Sequence, residues 1–118
     1  MPIVLAKRHS RKADPAAELA WQIDKALGII AMREVKFHAT RQWRADLILL
    51  DQKLAIEIEG GFFLAQGGRH NRGAGAREDC EKYCELAIAG FRLLRVLPEW
   101  VASGKAFSLV ERAVKGTP

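Results

Sequence analysis

Residues 43–50 and 54–59 form two apolar segments separated only by a short polar break at Asp51-Gln52, and this pair constrains the fold more than any other feature of the chain. Each segment is too short for a buried helix and rich in β-formers. Together they read as an antiparallel hairpin of two central strands joined by a tight turn. Leu47, Ile48, Ile56 and Ile58 dominate them, yet each also carries carboxylates: Asp46 in the first, Glu57 and Glu59 in the second.

The rest of the chain supplies what such a hairpin needs for cover. Asp14-Pro15 is a capping residue followed by a proline at the first helical position. Leu19, Ile23, Ala26 and Leu27, with Trp21, continue an amphipathic helix to Gly28. Residues 34–39 alternate Val35 and Phe37 with Lys36 and His38, a half-exposed strand. Residues 60–75 form a glycine-rich stretch without periodicity, read as a long active-site loop. A second helix is expected over 76–89, stopped by Gly90, with Cys80, Tyr83, Cys84, Ala87 and Ile88 on its buried face. A fourth strand follows over 91–97, then helices over 99–103 and 107–114. The order predicts an α/β fold, a mixed central sheet flanked by helices.

At 118 residues the chain suits one domain, 1–118, with 1–13 as a basic arm; roughly two-thirds of the surface of a chain this size is buried on folding. No stretch approaches the roughly 20 apolar residues of a membrane span, and the amino terminus reverses the charge order of a secretory signal. The expectation is a cytoplasmic protein with no membrane partner. Cys80 and Cys84 match neither a metal-ligand spacing nor a disulfide framework and are read as reduced, half-buried helix residues. The net charge of +5 does not name a partner alone, but its distribution is informative. Basic residues gather in the arm (Lys7, Arg8, Arg11, Lys12), around the first strands (Arg33, Lys36, Arg41, Arg44) and near the glycine-rich stretch (Arg69, Arg72, Arg77).

A turn centred between Asp51 and Gln52 sets Asp46 directly opposite Glu57 and Arg44 opposite Glu59, all four on one face. Carboxylates about 5 Å apart on neighbouring strands repel each other and are costly to desolvate. On a solvated face they would be unremarkable, with Arg44 and Glu59 as a cross-strand ion pair. The isoleucines and leucines around them favour a site instead. Converging Asp and Glu oxygens suit a hard cation, and magnesium takes one or two protein carboxylates, completing its shell with water and phosphate. His70 follows the hairpin among glycines and arginines. Asp79 and Lys82 read by default as a surface pair on the second helix, Glu78 and Lys82 as another. Glu18 reads as a surface residue of the first helix, Trp43 and Trp100 as core or sheet-edge aromatics.

The initial helix, the hairpin WRADLILLDQKLAIEIEGG, the loop with GRH, the helix beginning near REDCEKY and the strand GFRLLRV resemble the PD-(D/E)XK nuclease superfamily over roughly residues 14–101. Within it, the small branch related to very-short-patch-repair endonucleases is the most similar. The resemblance implies a restriction-endonuclease-like αβββαβ core and magnesium-dependent hydrolysis of DNA phosphodiesters, with manganese able to substitute. It gives Asp46 the place of the motif aspartate, Glu57 that of the second acidic residue, and Glu59 the position usually held by lysine. Glu59 brings no positive charge, so it becomes a further metal ligand or a base, and His70 and Lys82 become candidates for the missing function. Asp79 matches a helix aspartate of the smaller branch, and Glu18 an acidic residue that some relatives contribute to the metal.

The leading expectation is a metal-dependent DNA endonuclease of repair, recombination or phage DNA processing, of bacterial or phage type. Asp46, Glu57 and Glu59 hold magnesium, His70 acts as general base or acid, and Arg69 and Arg72 clamp flanking phosphates. Arg44, Arg77, Lys7, Arg8 and Arg11 contribute further to DNA binding. Three alternatives stay open. One is a structure-selective resolvase of Holliday junctions or flaps, acting as a homodimer; another is a non-catalytic DNA-binding module in which Glu59 marks a decayed site. An RNA-directed or toxin-like nuclease ranks last, because no aromatic-rich platform is present.

Overall fold

Helix α1 (Pro15–Leu27) begins where Asp14 accepts the Ala16 and Ala17 amides at 3.1 and 3.3 Å, with Pro15 in the first turn, where a missing N–H leaves nothing unpaired. It ends at Gly28, whose φ of 68° is the left-handed conformation that lets its N–H close back on Asp24 O. The computed structural model describes residues 14–60 and 72–117, with backbone only for 72–74. Replacing Asp14 by Ala removes both capping bonds and the exposed Arg33 ion pair at 2.6 Å. The expected loss is about 1 kcal/mol, nearly all from the cap, read as a lowered urea midpoint with unchanged slope.

Four strands follow: β1 (Met32–Lys36), β2 (Arg44–Leu49), β3 (Leu54–Ile58) and β4 (Arg92–Val96). They form one sheet in the order β1-β2-β3-β4, antiparallel from β1 to β3 and parallel between β3 and β4. The parallel step needs a crossover, supplied by α2 (Arg72–Ile88); α3 (Pro98–Ser103) and α4 (Lys105–Lys115) close the chain. The protein is thus α/β, a four-stranded mixed sheet flanked by helices. Among the described residues no helix is long and apolar enough to cross a membrane.

The apolar runs of β2 and β3 are explained by cover on both faces. Leu47, Leu49, Leu54 and Ile56 pack with Leu19 and Ile23 of α1, Val101 of α3 and Val110 of α4. On the other face Ile48 and Ala55 meet Leu86 of α2, with Tyr83 and Leu93 against them. The two inner strands are therefore the buried centre, and β1 and β4 are the edges.

Several boundaries differ from expectation. β1 begins at Met32 and stops at Lys36, because His38 Nδ1 accepts the Thr40 and Arg41 amides at 3.2 and 3.0 Å and turns the chain over residues expected to be strand. Residues 72–75, expected in the loop, are already helical in α2. Of the expected buried face of that helix only Tyr83 packs against the sheet, and Ala87 is exposed. Cys80 and Cys84 are exposed rather than half-buried, and Ile88 is 77% exposed. The helix carries few apolar residues, and its orientation is set by Leu86, which fills the hollow over Ala45, Ile48 and Ala55, and by Lys82, which reaches into the sheet.

Candidate active site

The hairpin register is the one expected from the turn: Leu47 pairs with Ile56, Ile48 with Ala55 and Leu49 with Leu54. The turn closes through Lys53 N–H donating to Leu50 O at 3.1 Å, with Lys53 at φ 53°. Past Leu47 and Ile56 the backbone ladder gives way to side chains. The Asp46 amide donates to Glu57 Oε2 at 2.8 Å, and the Ile58 amide donates to Asp46 Oδ2, also at 2.8 Å. Each carboxylate thus takes a main-chain donor from the partner strand, which fixes both with respect to the backbone.

The other neighbour of β2 is interrupted at the same place. Arg33 pairs with Leu47 and Val35 with Ala45, and the intervening Glu34 and Asp46 fall outside the ladder. Glu34 sits at φ 54°, a left-handed conformation costing about 1–2 kcal/mol for a residue with a Cβ. Backbone strain of this kind concentrates at functional sites.

Glu57 lies under α2, and Lys82 of that helix donates to its Oε1 at 2.6 Å; the two side chains are 6% and 13% exposed. This excludes the solvated-face alternative, and also the expected Asp79–Lys82 and Glu78–Lys82 surface pairs, since Glu78 instead receives Arg41. Lys82 bonds the buried Glu57 directly and acts on the half-buried Asp46 through its charge. Burial is the main cause that raises the Asp46 carboxyl above its ordinary value; the Ile58 amide and Lys82 oppose it, and Glu34 and Glu59 push further upward. Glu57 is likewise raised, first by burial, against the Lys82 and Asp46 N–H bonds and with the Asp46 charge.

A carboxyl raised on folding binds its proton more tightly in the native state. Its contribution to stability is complete below the unfolded value of about 4 and is lost as pH rises through the folded value. Asp46→Asn removes one such group. The stability of wild type relative to D46N is therefore expected to fall as pH rises from about 4 toward neutrality, read by urea unfolding of both proteins across that range.

Glu59 takes partners other than those expected. Tyr83 Oη donates to its Oε2 at 3.1 Å and Arg95 Nε to the same oxygen at 2.5 Å, while its own amide donates to Val96 O at 2.8 Å. The Arg44–Glu59 ion pair of the solvated-face alternative does not form: Arg44 is exposed and lies across from Lys36 in the β1 ladder. Burial, reinforced by the Glu59 and Asp79 charges, raises the Tyr83 phenol above its ordinary value. Arg95 lies over the Tyr83 ring at 4.7 Å. Burial alone would lower its value, but the Glu59 bond and charge together with Tyr83 and Asp79 leave it raised.

The structure thus brings Asp46, Glu57 and Lys82 together, with Glu59 adjoining them. Asp79 stands nearby on α2, where its charge acts on Tyr83 and Arg95. Glu18 accepts from Gln22, which also reaches Val101 O, so it belongs to the α1–α3 side rather than to the pair. Arg77 is exposed on α2. His70, Arg69, Lys7, Arg8 and Arg11 lie outside the described residues, as does the side chain of Arg72. Trp43 packs at the sheet edge as expected, against Phe37 and His38.

Among the described residues no three His, Cys, Asp or Glu side chains converge as a metal-binding group. The two carboxylates that do interlock, the half-buried Asp46 and the buried Glu57 with Lys82 on it, are of the number and kind that suit a magnesium ion, which takes one or two protein carboxylates and fills the rest of its shell with water. Comparison of the chain with protein-family models, with curated proteins and with solved structures gives no match. The reading therefore rests on the residues themselves. Arg95 and Tyr83 were not anticipated: the alternation of β4 puts Arg95 on a definite face, but only the parallel register, with Arg95 beside Glu57, brings it to the site.

Proposed function

We propose that the protein is a divalent-metal-dependent DNA endonuclease of the PD-(D/E)XK kind. The single observation that carries the reading is the interlocked pair of half-buried Asp46 and buried Glu57, at the point where two central strands exchange ladder bonds for carboxylates, with Lys82 on Glu57. The αβββαβ order, with β4 parallel to β3, supports a restriction-endonuclease-like core.

Asp46 and Glu57 are the residues that would hold magnesium. A bound ion supplies Lewis acidity toward the scissile phosphate and toward an attacking water. Main-chain bonds from Ile58 and Asp46 keep the two carboxylates oriented, so little reorganisation accompanies binding. Lys82 takes the place of the lysine that Glu59 displaces from the strand: it anchors Glu57 and carries further N–H donors to offer a phosphate oxygen or the water. Helix α2 thus delivers a charge that the strand itself does not.

The test is incubation of the purified protein with supercoiled plasmid, linear duplex and four-way-junction DNA, in magnesium, manganese or EDTA. Cleavage that requires a divalent ion is expected, and preference between duplex and junction assigns the substrate. Absence of metal-dependent cleavage on all three DNAs refutes the proposal.

A further inference from the structure

We infer that Arg95 is a clamp for a backbone phosphate of the strand being cut, held ready by Glu59 and Tyr83; this rests on reading Asp46 and Glu57 as the nuclease centre. The strand register places the Arg95 side chain, and two contacts fix its guanidinium. Parallel pairing sets Arg95 beside Glu57, the ion pair with Glu59 holds its Nε at 2.5 Å, and the Tyr83 ring lies under it at 4.7 Å. Tyr83 in turn donates to Glu59, whose side chain is only 15% exposed, so the support is itself anchored.

The Glu59 bond uses Nε alone, and Nη1 and Nη2 have no acceptor among the described residues. Arg95 remains 49% exposed at its side chain, which leaves the terminal donors accessible to solvent at the strand position beside Glu57. A planar fork with free terminal donors matches phosphate oxygens in a two-point contact. Pre-positioning also removes much of the side-chain entropy that an arginine otherwise loses on binding.

Other arginines are engaged differently. Arg33 is tied to Asp14, Arg41 to Glu78 and the Trp43 face, and Arg92 donates through both terminal nitrogens to the Ala113 and Gln52 carbonyls. Arg95 combines a fixed stem, open terminal donors and adjacency to the pair. This also gives Glu59 a role: at the position where the family resemblance leads one to look for a lysine, it is the counter-ion that aims an arginine from the next strand. Glu59 and Tyr83 are positioning residues; Arg95 is the one that touches substrate.

The test compares wild type, Arg95→Gln and Arg95→Lys in two measurements. The first is equilibrium binding to a labelled duplex in EDTA over a range of potassium chloride. R95Q is expected to bind about tenfold more weakly, with a salt slope shallower by about 0.9, the loss of one phosphate contact. R95K is expected to keep the slope while losing the fork. The second is cleavage in magnesium, where R95Q is expected to raise KM about tenfold with kcat nearly unchanged.

Equal affinity and slope for wild type and R95Q overturn the clamp; if wild type still cleaves, the nuclease reading survives that failure. A reduced slope in R95Q together with no metal-dependent cleavage by wild type upholds Arg95 as a phosphate contact and refutes the nuclease reading. A wild type that neither binds nor cuts DNA refutes both.

Discussion

Replacing Lys82 by Met lowers stability by about 3 kcal/mol at neutral pH, the cost of removing one member of a buried ion pair. The Lys82–Glu57 contact is 2.6 Å with both side chains largely sequestered, and Met fills similar volume, so the loss is charge compensation rather than packing. Left alone, Glu57 keeps the Asp46 amide as a donor but faces the Asp46 carboxylate without a cation. Its carboxyl, already raised by burial, rises further. The penalty is therefore full at neutral pH and shrinks as acid protonates Glu57. The double variant K82M/E57Q recovers most of the loss because the buried Glu57 charge goes with its partner and the half-buried Asp46 keeps the Ile58 amide, and a cycle of the four proteins measures the coupling. Urea unfolding at pH 7 and again near pH 4 reads both effects. If K82M matches wild type at both, Lys82 does not compensate the pair.

How far the sequence shows this site follows from what local pattern can and cannot specify. A tight turn at Asp51-Gln52 and period-two alternation are enough to place Asp46 opposite Glu57, because hairpin register is set by a few residues close in sequence. The capping of α1 by Asp14 and its stop at Gly28 are equally local. The sheet-facing side of α2 is not. Its apolar residues suggest a stripe through Cys80, Cys84 and Ile88, whereas a buried acid drawing a lysine inward decides the orientation, and that acid lies on a strand distant in sequence. Arg95 is hidden for the same reason: parallel register depends on the crossover, so nothing in FRLLRV alone says that Arg95 will stand beside Glu57. The left-handed Glu34 gives no warning at all, since non-glycine residues of this conformation follow from the sheet around them. The carboxylate-bearing strands are thus readable from local pattern, and the cations beside them only from tertiary structure.

Asp46→Asn is expected to reduce metal-dependent cleavage at least about a thousandfold, a loss near 4 kcal/mol of transition-state stabilisation, while leaving the fold intact. The substitution is nearly isosteric. An Asn carbonyl oxygen can still accept the Ile58 amide, so the main-chain bond at 2.8 Å has a substitute and the strands have no reason to move. What disappears is a negative charge that burial already disfavours and that Glu34 and Glu59 disfavour further. Without a cation that charge costs stability, so D46N becomes more stable at neutral pH even as activity falls, as expected when a strained site is maintained for function. E57Q separates the two effects differently: it also loses activity but breaks the Lys82 pair, so it gains less stability or none. Cleavage rates in magnesium and manganese, set beside urea midpoints for the same preparations, give the comparison. If D46N cuts within tenfold of wild type, Asp46 does not hold the ion, and the assignment of the Asp46 and Glu57 pair as the metal centre falls with it.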